Sequence, residues 1–225
     1  MLAHPSSIDL SSRTLHFLTK RLRARQREIG TRWRRLPVGG RQALRCVREV
    51  IDVLAAAAPT LTEATKTIRA QAFVILDGTL LPIDRIAADT PYYSGKHKRH
   101  GINVQVLTDP FGRLLWASPA LPGSTHDLTA ARYHGIIDAL AEADVKCWAD
   151  KAYQGAGRPV RVPFWGRRLK RWKRRHSSSH AKIRCLVEQA MATLKGWRLL
   201  RKLRCSTNRI TDILNAVVVL HHAST

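Results

Sequence analysis

The chain has 225 residues, of which 44% are apolar, and its 39 Lys and Arg against 16 Asp and Glu give a formal net charge of +23. This length and apolar content suit one domain, or one domain with a small appendage, and exclude a disordered basic tail. The uncharged run at 213–223 is too short to span a membrane, and the N-terminus lacks the apolar segment of a secretory signal. The four cysteines lie far apart and form no Cys-x-x-Cys motif, which argues against a disulfide framework or a structural zinc site. We therefore expect a cytoplasmic, nucleoid-associated protein whose partner is nucleic acid.

The N-terminal segment, residues 1–70, is basic, with 14 Lys and Arg against 5 Asp and Glu. Apolar residues at helical spacing predict a basic helix over Ser11–Ile29 and a second helix over Gln42–Ala57, which Pro59 ends. We assign residues 1–70 to a basic helical DNA-binding region.

The middle segment, residues 71–157, is nearly neutral, with 8 basic and 9 acidic side chains. Its short apolar runs are typical of buried strands, and Asp109–Gly112 has the composition of a hairpin turn. A helix is predicted over Asp127–Ala141, with Ser124 or Thr125 as its cap. The predicted strands are Phe73–Leu76, Leu80–Ile86, Ile102–Thr108, Leu114–Ala120 and Val145–Ala149.

The C-terminal segment, residues 158–225, carries 17 basic and 2 acidic side chains. Seven of the nine residues from Arg167 to Arg175 are Lys or Arg, which predicts an inserted phosphate-binding stretch; a solvated basic loop without a defined role is the alternative. Helices are predicted over His180–Lys195, capped from Ser177–Ser179, and over Asp212–His222. The order of elements favours an α/β fold with a mixed sheet flanked by helices, and no Gly-rich nucleotide-binding motif is present.

Two acidic residues directly follow predicted strands. Asp77 comes after the run at 73–76, and Asp150 comes after the run at 145–149. If both strands are central and parallel, their carboxyl ends lie side by side and the two carboxylates converge.

A third acid would complete an oxygen-rich site for two Mg²⁺ ions. Only Glu188 and Asp212 remain after residue 157, and Glu188 shares a helix face with Arg184 and Lys195. Glu188 is therefore the candidate for the third ligand. An ordinary salt bridge between Glu188 and Arg184 is the alternative.

Four short motifs occur in order along the chain: Leu76-Asp77-Gly78-Thr79, Gly123-Ser124-Thr125-His126-Asp127, Ala149-Asp150-Lys151-Ala152-Tyr153-Gln154-Gly155 and Val187-Glu188-Gln189-Ala190-Met191-Ala192-Thr193-Leu194-Lys195. No single motif is specific, but the occurrence of all four in this order and at these intervals is a strong signal. Together they resemble the DDE-superfamily transposases of bacterial insertion sequences, in the branch akin to Harbinger elements.

The resemblance implies an RNase H-like catalytic domain over residues 71–225, with Asp77, Asp150 and Glu188 as a catalytic triad that binds two Mg²⁺ or Mn²⁺ ions. The implied reaction is cleavage of transposon ends followed by strand transfer into target DNA. DNA is then the partner, and a homodimer or larger assembly is expected because two ends must be brought together.

Asp127 is a competing acid whose role stays open. It could be a helix-start residue favoured by the helix dipole, a partner of the ligands, or a metal ligand itself. Its neighbour His126 is expected to be structural or to contact DNA.

Basic side chains in two regions are expected to hold DNA. The loop at 92–100 mixes aromatic and basic residues, which suits phosphate contact with stacking on a distorted DNA end; an exposed basic hairpin is the alternative. The residues expected to contact DNA are Lys96, Lys98, Arg99, Arg167, Arg168, Lys170, Arg171, Lys173, Arg174, Arg175, Arg184 and Lys195.

Three features depart from the family pattern. The third-acid signature Tyr-x2-Arg-x3-Glu-x6-Lys is kept at Arg184, Glu188 and Lys195, but Ala181 stands at the Tyr position. The tract Phe164–His176 looks replaced by a basic stretch. The interval at 46–70 is too short for the two helices and turn of a helix-turn-helix, so we expect an internal deletion that impairs recognition of the terminal repeats.

Two alternatives to an active transposase follow. One is a decayed, catalytically inactive transposase that still binds DNA. The other is an RNase H-like nuclease without strand transfer.

Overall fold

The computed structural model of this protein describes residues 40–84, 90–201, 203, 205 and 207–224, together with six isolated positions between 16 and 28. The predicted helix Ser11–Ile29 lies outside the continuously described residues. The chain divides into two compact units, one formed by residues 1–58 and 212–225 and the other by residues 59–211. None of the described helices is long and apolar enough to cross a membrane.

The larger unit is built on a seven-stranded mixed sheet whose strands are β1 (Val74–Pro82), β2 (Tyr93–Ser94), β3 (Arg99–Thr108), β4 (Leu114–Ala117), β5 (Leu121–Pro122), β6 (Cys147–Ala149) and β7 (Val160–Arg161). The strand order is β2-β3-β1-β6-β7, and β4 and β5 also pair with β3. β1 pairs antiparallel with β3 and parallel with β6, which pairs parallel with β7. With helices flanking this sheet, the predicted RNase H-like α/β fold is confirmed.

The described helices are α1 (Gly40–Ala55), α2 (Leu61–Ile68), α3 (Asp127–Tyr133), α4 (Ile136–Glu142), α5 (Arg171–Gly196), α6 (Arg198–Arg201) and α7 (Ile210–Ser224). In the smaller unit, Leu54 of α1 packs with Ala216 and Val219 of α7. In the larger unit, α2 packs against α4 and β4, while α5 packs against β1 and β6.

β1 differs from the sequence prediction. Two strands were expected, at 73–76 and 80–86, but one strand runs through Asp77-Gly78-Thr79 without a break. The reason is nonlocal, because β3 pairs with β1 from Ile75 to Pro82 and satisfies the backbone on both sides of Gly78. The parallel pairing with β6 covers only Val74–Leu76, so Asp77 stands where that pairing ends.

The helix predicted over 127–141 is two helices, α3 and α4. The chain turns between them at Gly135, whose φ of +67° lies in the left-handed region that glycine adopts without strain. The cap of α3 is also different from the prediction of Ser124 or Thr125. His126 occupies the cap position, and its Nδ1 accepts a hydrogen bond from the backbone N–H of Leu128 at 3.3 Å.

The basic stretch at 167–175 is not an inserted loop along its whole length. α5 begins at Arg171 and has 26 residues, so it includes both the end of that stretch and the helix predicted over His180–Lys195. Arg, Lys and Trp all tolerate a helical backbone, and the serines at 177–179 lie inside the helix rather than at its cap. The predicted cap at Ser177–Ser179 was wrong.

The interval before the sheet holds one more helix than predicted. α2 begins with a capping box in which the Thr60 side chain accepts from the Glu63 backbone while the Glu63 carboxylate accepts from the Thr60 backbone. The sequence Thr-x-x-Glu was a readable signal for this start. Only α2 lies wholly within residues 46–70, since α1 begins at Gly40, and the incomplete helix-turn-helix stays a prediction.

The core of the larger unit lies beneath the proposed site. Buried residues of β1, β6, α3 and α4 form one apolar cluster with Tyr153, which is fully buried. The strands that carry Asp77 and Asp150 are thus fixed from below by close packing.

Candidate active site

The structure brings Asp77 and Asp150 together. Leu76 on β1 is in register with Ala149 on β6 in a parallel pair, and each aspartate is the next residue along its chain. Asp77 accepts a hydrogen bond from the Gly78 N–H at 3.0 Å, and Asp150 accepts one from the Ala152 N–H at 2.7 Å. Both carboxylates are therefore anchored to the backbone at the same edge of the parallel pairing.

The carboxyl group of Asp77 has a raised pKa of about 6. Burial is the largest cause, and the negative charges of Asp150 and Asp127 act in the same direction. The Arg184 guanidinium opposes these effects, with its Nη2 3.7 Å from Asp77 Oδ2. Three carboxylates thus share a small region in which one arginine compensates only part of the negative charge.

Asp127 is buried beside this pair and is fully hydrogen-bonded. Asn103 Nδ2 donates to Asp127 Oδ1 at 2.8 Å, and Lys96 Nζ lies 3.1 Å from Oδ2. Burial alone would lower the pKa of Lys96, but the attraction of Asp127 outweighs it and raises the pKa, with smaller contributions from Asp150 and Asp77. Both Asp127 oxygens are therefore engaged by protein donors.

A buried chain of hydrogen bonds extends from Asp127 across the sheet. Gln105 donates to Asn103 Oδ1 at 2.7 Å, and the Tyr153 hydroxyl donates to Gln105 Oε1. Asn103 and Gln105 were not predicted from the sequence as residues of the site. The available signal was two amide side chains at alternate positions of an otherwise apolar strand, because a buried polar residue is the informative exception in a core.

Glu188 lies on α5 but does not join this cluster directly. Its side chain is exposed, and among the described residues it has no ion pair or side-chain hydrogen bond. The alternative of a salt bridge to Arg184 is not observed, since Arg184 pairs with Asp77. Burial lowers the pKa of Lys195, with Arg99 adding to that effect and Asp77 opposing it, which places Lys195 within electrostatic reach of Asp77.

The carboxylates at this edge of the sheet are potential ligands for a divalent ion. Among the described residues, no three His, Cys, Asp or Glu side chains converge as a metal site. Asp77 and Asp150 nevertheless fit Mg²⁺, which binds through one or two carboxylates together with water and substrate phosphates. Burial and the nearby charge of Asp150 both raise the pKa of Asp77, so a cation bound there would stabilise the pair of carboxylates.

A cleft of about 280 Å³ lies beside Asp127, and its lining does not include Asp77 or Asp150. Lys96, His97 and His126 line it together with Asp127. Lys96 and the nearby Lys98 and Arg99 of the 92–100 loop are exposed, so their charges are available to a polyanion. The residues that line the cleft are Gly78, Thr79, Leu80, Ser94, Gly95, Lys96, His97, Asn103, Gly123, Ser124, Thr125, His126, Asp127 and Ala152.

The basic stretch continues this positive surface elsewhere in the same unit. Arg167, Arg168 and Lys170 precede α5, and Arg171 to Arg175 form its first turns. All of these Lys and Arg side chains are exposed except Lys173, which is half-buried.

The region that carries these acids matches a known family. Residues 76–222 match the family described as DDE superfamily endonuclease. The match covers well over half of the chain, so the protein belongs to the DDE superfamily endonucleases.

A curated relative gives a similar result. The chain is 29% identical over 155 residues to a Streptomyces albus G protein named "Putative transposase for insertion sequence element IS112", a match that covers 66% of this chain and 57% of the relative. The chain thus matches little more than half of that relative's length. No solved structure matches the chain. The resemblance to DDE-type insertion-sequence transposases is confirmed.

Proposed function

We propose that this protein is a transposase that cleaves the ends of an insertion sequence and joins them to target DNA. Water attacks the phosphorus at the element end and frees a 3′-hydroxyl, and that hydroxyl then attacks a phosphorus of the target strand. The observation that carries the proposal is the placement of Asp77 and Asp150 on adjacent parallel strands, in the region that matches the DDE endonuclease family.

Asp77 and Asp150 are the residues that hold the divalent ions in this proposal. When bound, Mg²⁺ or Mn²⁺ supplies Lewis-acid activation of water and stabilises the leaving oxygen. The backbone donors Gly78 and Ala152 fix one oxygen of each carboxylate. The other oxygen of Asp77 lies 3.7 Å from the Arg184 guanidinium.

Glu188 is proposed as the third ligand. Residues 184, 188 and 195 share one face of α5, and both Arg184 and Lys195 are within electrostatic reach of Asp77. Glu188 lies between these two cations along the helix, which supports its proposed role as the third ligand. Arg184 and Lys195, with Lys96 from the opposite side, are proposed to hold the phosphates on either side of the cut bond.

The proposed location and oligomeric state of the protein follow from DNA as its partner. A charge of +23 suits a protein that works on the nucleoid. Since both ends of an element are processed together, the active form is proposed to be a homodimer or larger assembly on DNA.

A second function is a DNA-binding protein without cleavage activity, the state of a decayed transposase. The exposure of Glu188 and its lack of an ion pair among the described residues favour this alternative. It predicts salt-sensitive DNA binding that is unaffected by divalent ions.

The test incubates the purified full chain with supercoiled and pre-nicked element-end DNA in Mg²⁺, Mn²⁺ or EDTA. Asp150→Asn is compared with Asp138→Asn, a matched change at an exposed aspartate of α4. Nicking and joining that require metal and vanish only in Asp150→Asn would support the transposase. Nicking without joining would indicate a simple nuclease, and binding without any cleavage would indicate the inactive state.

A further inference from the structure

Three exposed aromatic rings lie in the most basic part of the chain. Phe164 is 38% exposed, Trp165 is 78% exposed and Trp172 is 57% exposed. We call these three residues the aromatic patch. Single exposed rings are common on protein surfaces, whereas a group of neighbouring exposed rings is a feature of interaction sites.

Neighbouring side chains hold two rings of the patch in place. The rings of Phe164 and Trp172 meet edge to face with centroids 5.2 Å apart, and Phe164 also contacts the ring of His176 at 5.2 Å. Lys173 Nζ lies 5.2 Å from the Phe164 centroid and 5.5 Å from that of Trp172. A positive charge and two ring surfaces are therefore presented together.

The surrounding charge identifies the partner as a polyanion. Between Asp150 and Glu188 the chain has four lysines and eight arginines and no acidic residue. A protein or lipid surface that is only apolar would gain nothing from this charge. Cations combined with exposed aromatic rings are the features that bind unpaired nucleic acid, since each base has a ring face that can stack.

A row of side chains on α5 leads from the patch to the carboxylates. Trp172, His176, His180 and Arg184 follow one another at four-residue spacing, and such residues share a helix face. Arg184 ends the row at Asp77, with 3.7 Å between their charged groups.

The row is also packed against β6. The ring of Trp148, two residues before Asp150, lies 5.9 Å from that of His176 and 5.1 Å from that of His180. The patch is thus connected to the site by rigid structure. The helix rises about 18 Å over the twelve residues from Trp172 to Arg184, a length that a DNA strand covers in about five nucleotides when its bases keep the duplex spacing of about 3.4 Å.

We propose that the aromatic patch binds unpaired bases of the DNA strand about five nucleotides from the bond that is cut. Duplex DNA keeps its base faces stacked inside the helix, so only an unpaired segment offers them to Trp172 and its neighbours. The position along the strand rests on the proposed function, whereas the preference for unpaired DNA does not.

The first experiment measures binding of the full chain, in EDTA, to a fluorescein-labelled 20-nucleotide strand and to the matching duplex. Trp172→Ala is expected to weaken binding of the single strand about 5- to 150-fold, the effect of losing one stacked base, and to change duplex binding less than twofold. Trp172→Phe should restore most of the loss. Tyr133→Ala is the matched control, because Tyr133 is 74% exposed and lies outside the patch.

The second experiment locates the contact along the strand. 2-Aminopurine is placed in an unpaired segment of the strand, two, five or nine nucleotides from a pre-made nick in element-end DNA, again in EDTA. Quenching at the fifth position that Trp172→Ala abolishes would support the proposal.

Equal loss of single-strand and duplex binding, or no loss in Trp172→Ala, would overturn the patch as a site for unpaired bases. Quenching that is strongest at another position would overturn only the distance from the cut. Because neither experiment needs cleavage, an inactive protein would still give a clear result for the patch.

Discussion

Asp77 is held in a charged state that the folded protein disfavours. Burial and the carboxylates of Asp150 and Asp127 raise its pKa to about 6, although Arg184 acts in the opposite direction. An unfolded carboxyl has a pKa near 3.9, so between these two values the folded chain keeps a proton that the unfolded chain has lost. Stability therefore falls as the pH rises through this window, and the cost remains above about pH 6.

Asp77→Asn should remove that cost. In EDTA we expect the variant to exceed the parent in free energy of unfolding by about 1–3 kcal/mol at pH 7.5, and to differ little at pH 4, because Asp77 is then neutral in the folded chain. Urea unfolding at both pH values measures the difference. Glu142→Gln, at an exposed acid of α4, should show no such pH dependence. The same gain at both pH values would contradict the assignment of a buried charge.

Tyr153 supports the site from within the core. Its hydroxyl is the donor at the far end of the chain through Gln105 and Asn103 to Asp127. Burial is the main cause that raises the pKa of Tyr153 well above its usual value, so the hydroxyl keeps its proton at physiological pH.

Tyr153→Phe leaves the Gln105 amide oxygen without its donor in a buried position. We expect a loss of about 1–3 kcal/mol in the free energy of unfolding, independent of pH between 6 and 9. Chemical denaturation of the variant beside Tyr133→Phe, which alters an exposed tyrosine, measures it. A loss of the same size in both variants would show that the buried hydrogen bond is not its source.

At the scale of elements, the site depends on the close approach of β1 and α3. A Cβ built at Gly78 would overlap Asp127 Oδ1 and would lie 2.7 Å from Asp127 Cγ. Asp127 cannot move away freely, since Asn103 and Lys96 hold both of its oxygens. Glycine at this position is therefore needed for space, not for an unusual backbone angle.

Gly78→Ala should cost about 1–3 kcal/mol in the free energy of unfolding, the usual effect of overpacking a core. Adding Asp127→Ala creates room, so the double variant should lose less than the two single losses combined. Gly95→Ala is the matched control, because nothing lies within 4 Å of a Cβ placed there. Additive losses in this double-mutant cycle would contradict a direct overlap between the two side chains.

The sequence allowed part of this arrangement to be predicted. Apolar runs that end on Asp77 and Asp150 indicated that the two acids converge if their strands are central and parallel, and the two strands are paired in parallel up to Leu76 and Ala149. The continuity of β1 through Gly78 could not be predicted, because it depends on pairing with β3, a strand about 25 residues further along the chain.

The hydrogen-bond network beneath the acids was harder to predict for the same reason. Asn103 and Gln105 were visible as polar residues in an apolar strand, but their roles depend on where Asp127 and Tyr153 lie in the folded chain. Local periodicity contains no information on such contacts. Lys96 was predicted to contact DNA. Its ion pair with Asp127 shows that the same charge also compensates a buried carboxylate.

At the scale of the whole molecule, most of the positive charge lies in a different segment of the sequence from the three clustered aspartates, although Lys96 and Arg184 pair with two of them. Residues 71–157 are near neutrality and contain Asp77, Asp127 and Asp150, whereas the C-terminal segment has 17 basic residues against 2 acidic ones. A polyanion is therefore attracted by one part of the chain and meets concentrated negative charge in another. This distribution favours binding by phosphate contacts first, with chemistry confined to the few positions at which the acids are compensated.

The dependence of DNA binding on salt should report how many of those cations contact phosphates. Each contact contributes about 0.9 to the slope of log K against log salt, so replacing Arg174 and Arg175 by Gln should lower the slope by about 2 and weaken binding to all duplex sequences alike. Fluorescence anisotropy between 50 and 400 mM KCl measures the slope. Lys146→Gln, at an exposed lysine just before β6, is the control and should change it by less than 1. A slope that stays at the parent value in the double variant would show that the first turns of α5 do not contact DNA. Any loss confined to particular sequences would instead indicate base recognition by these arginines.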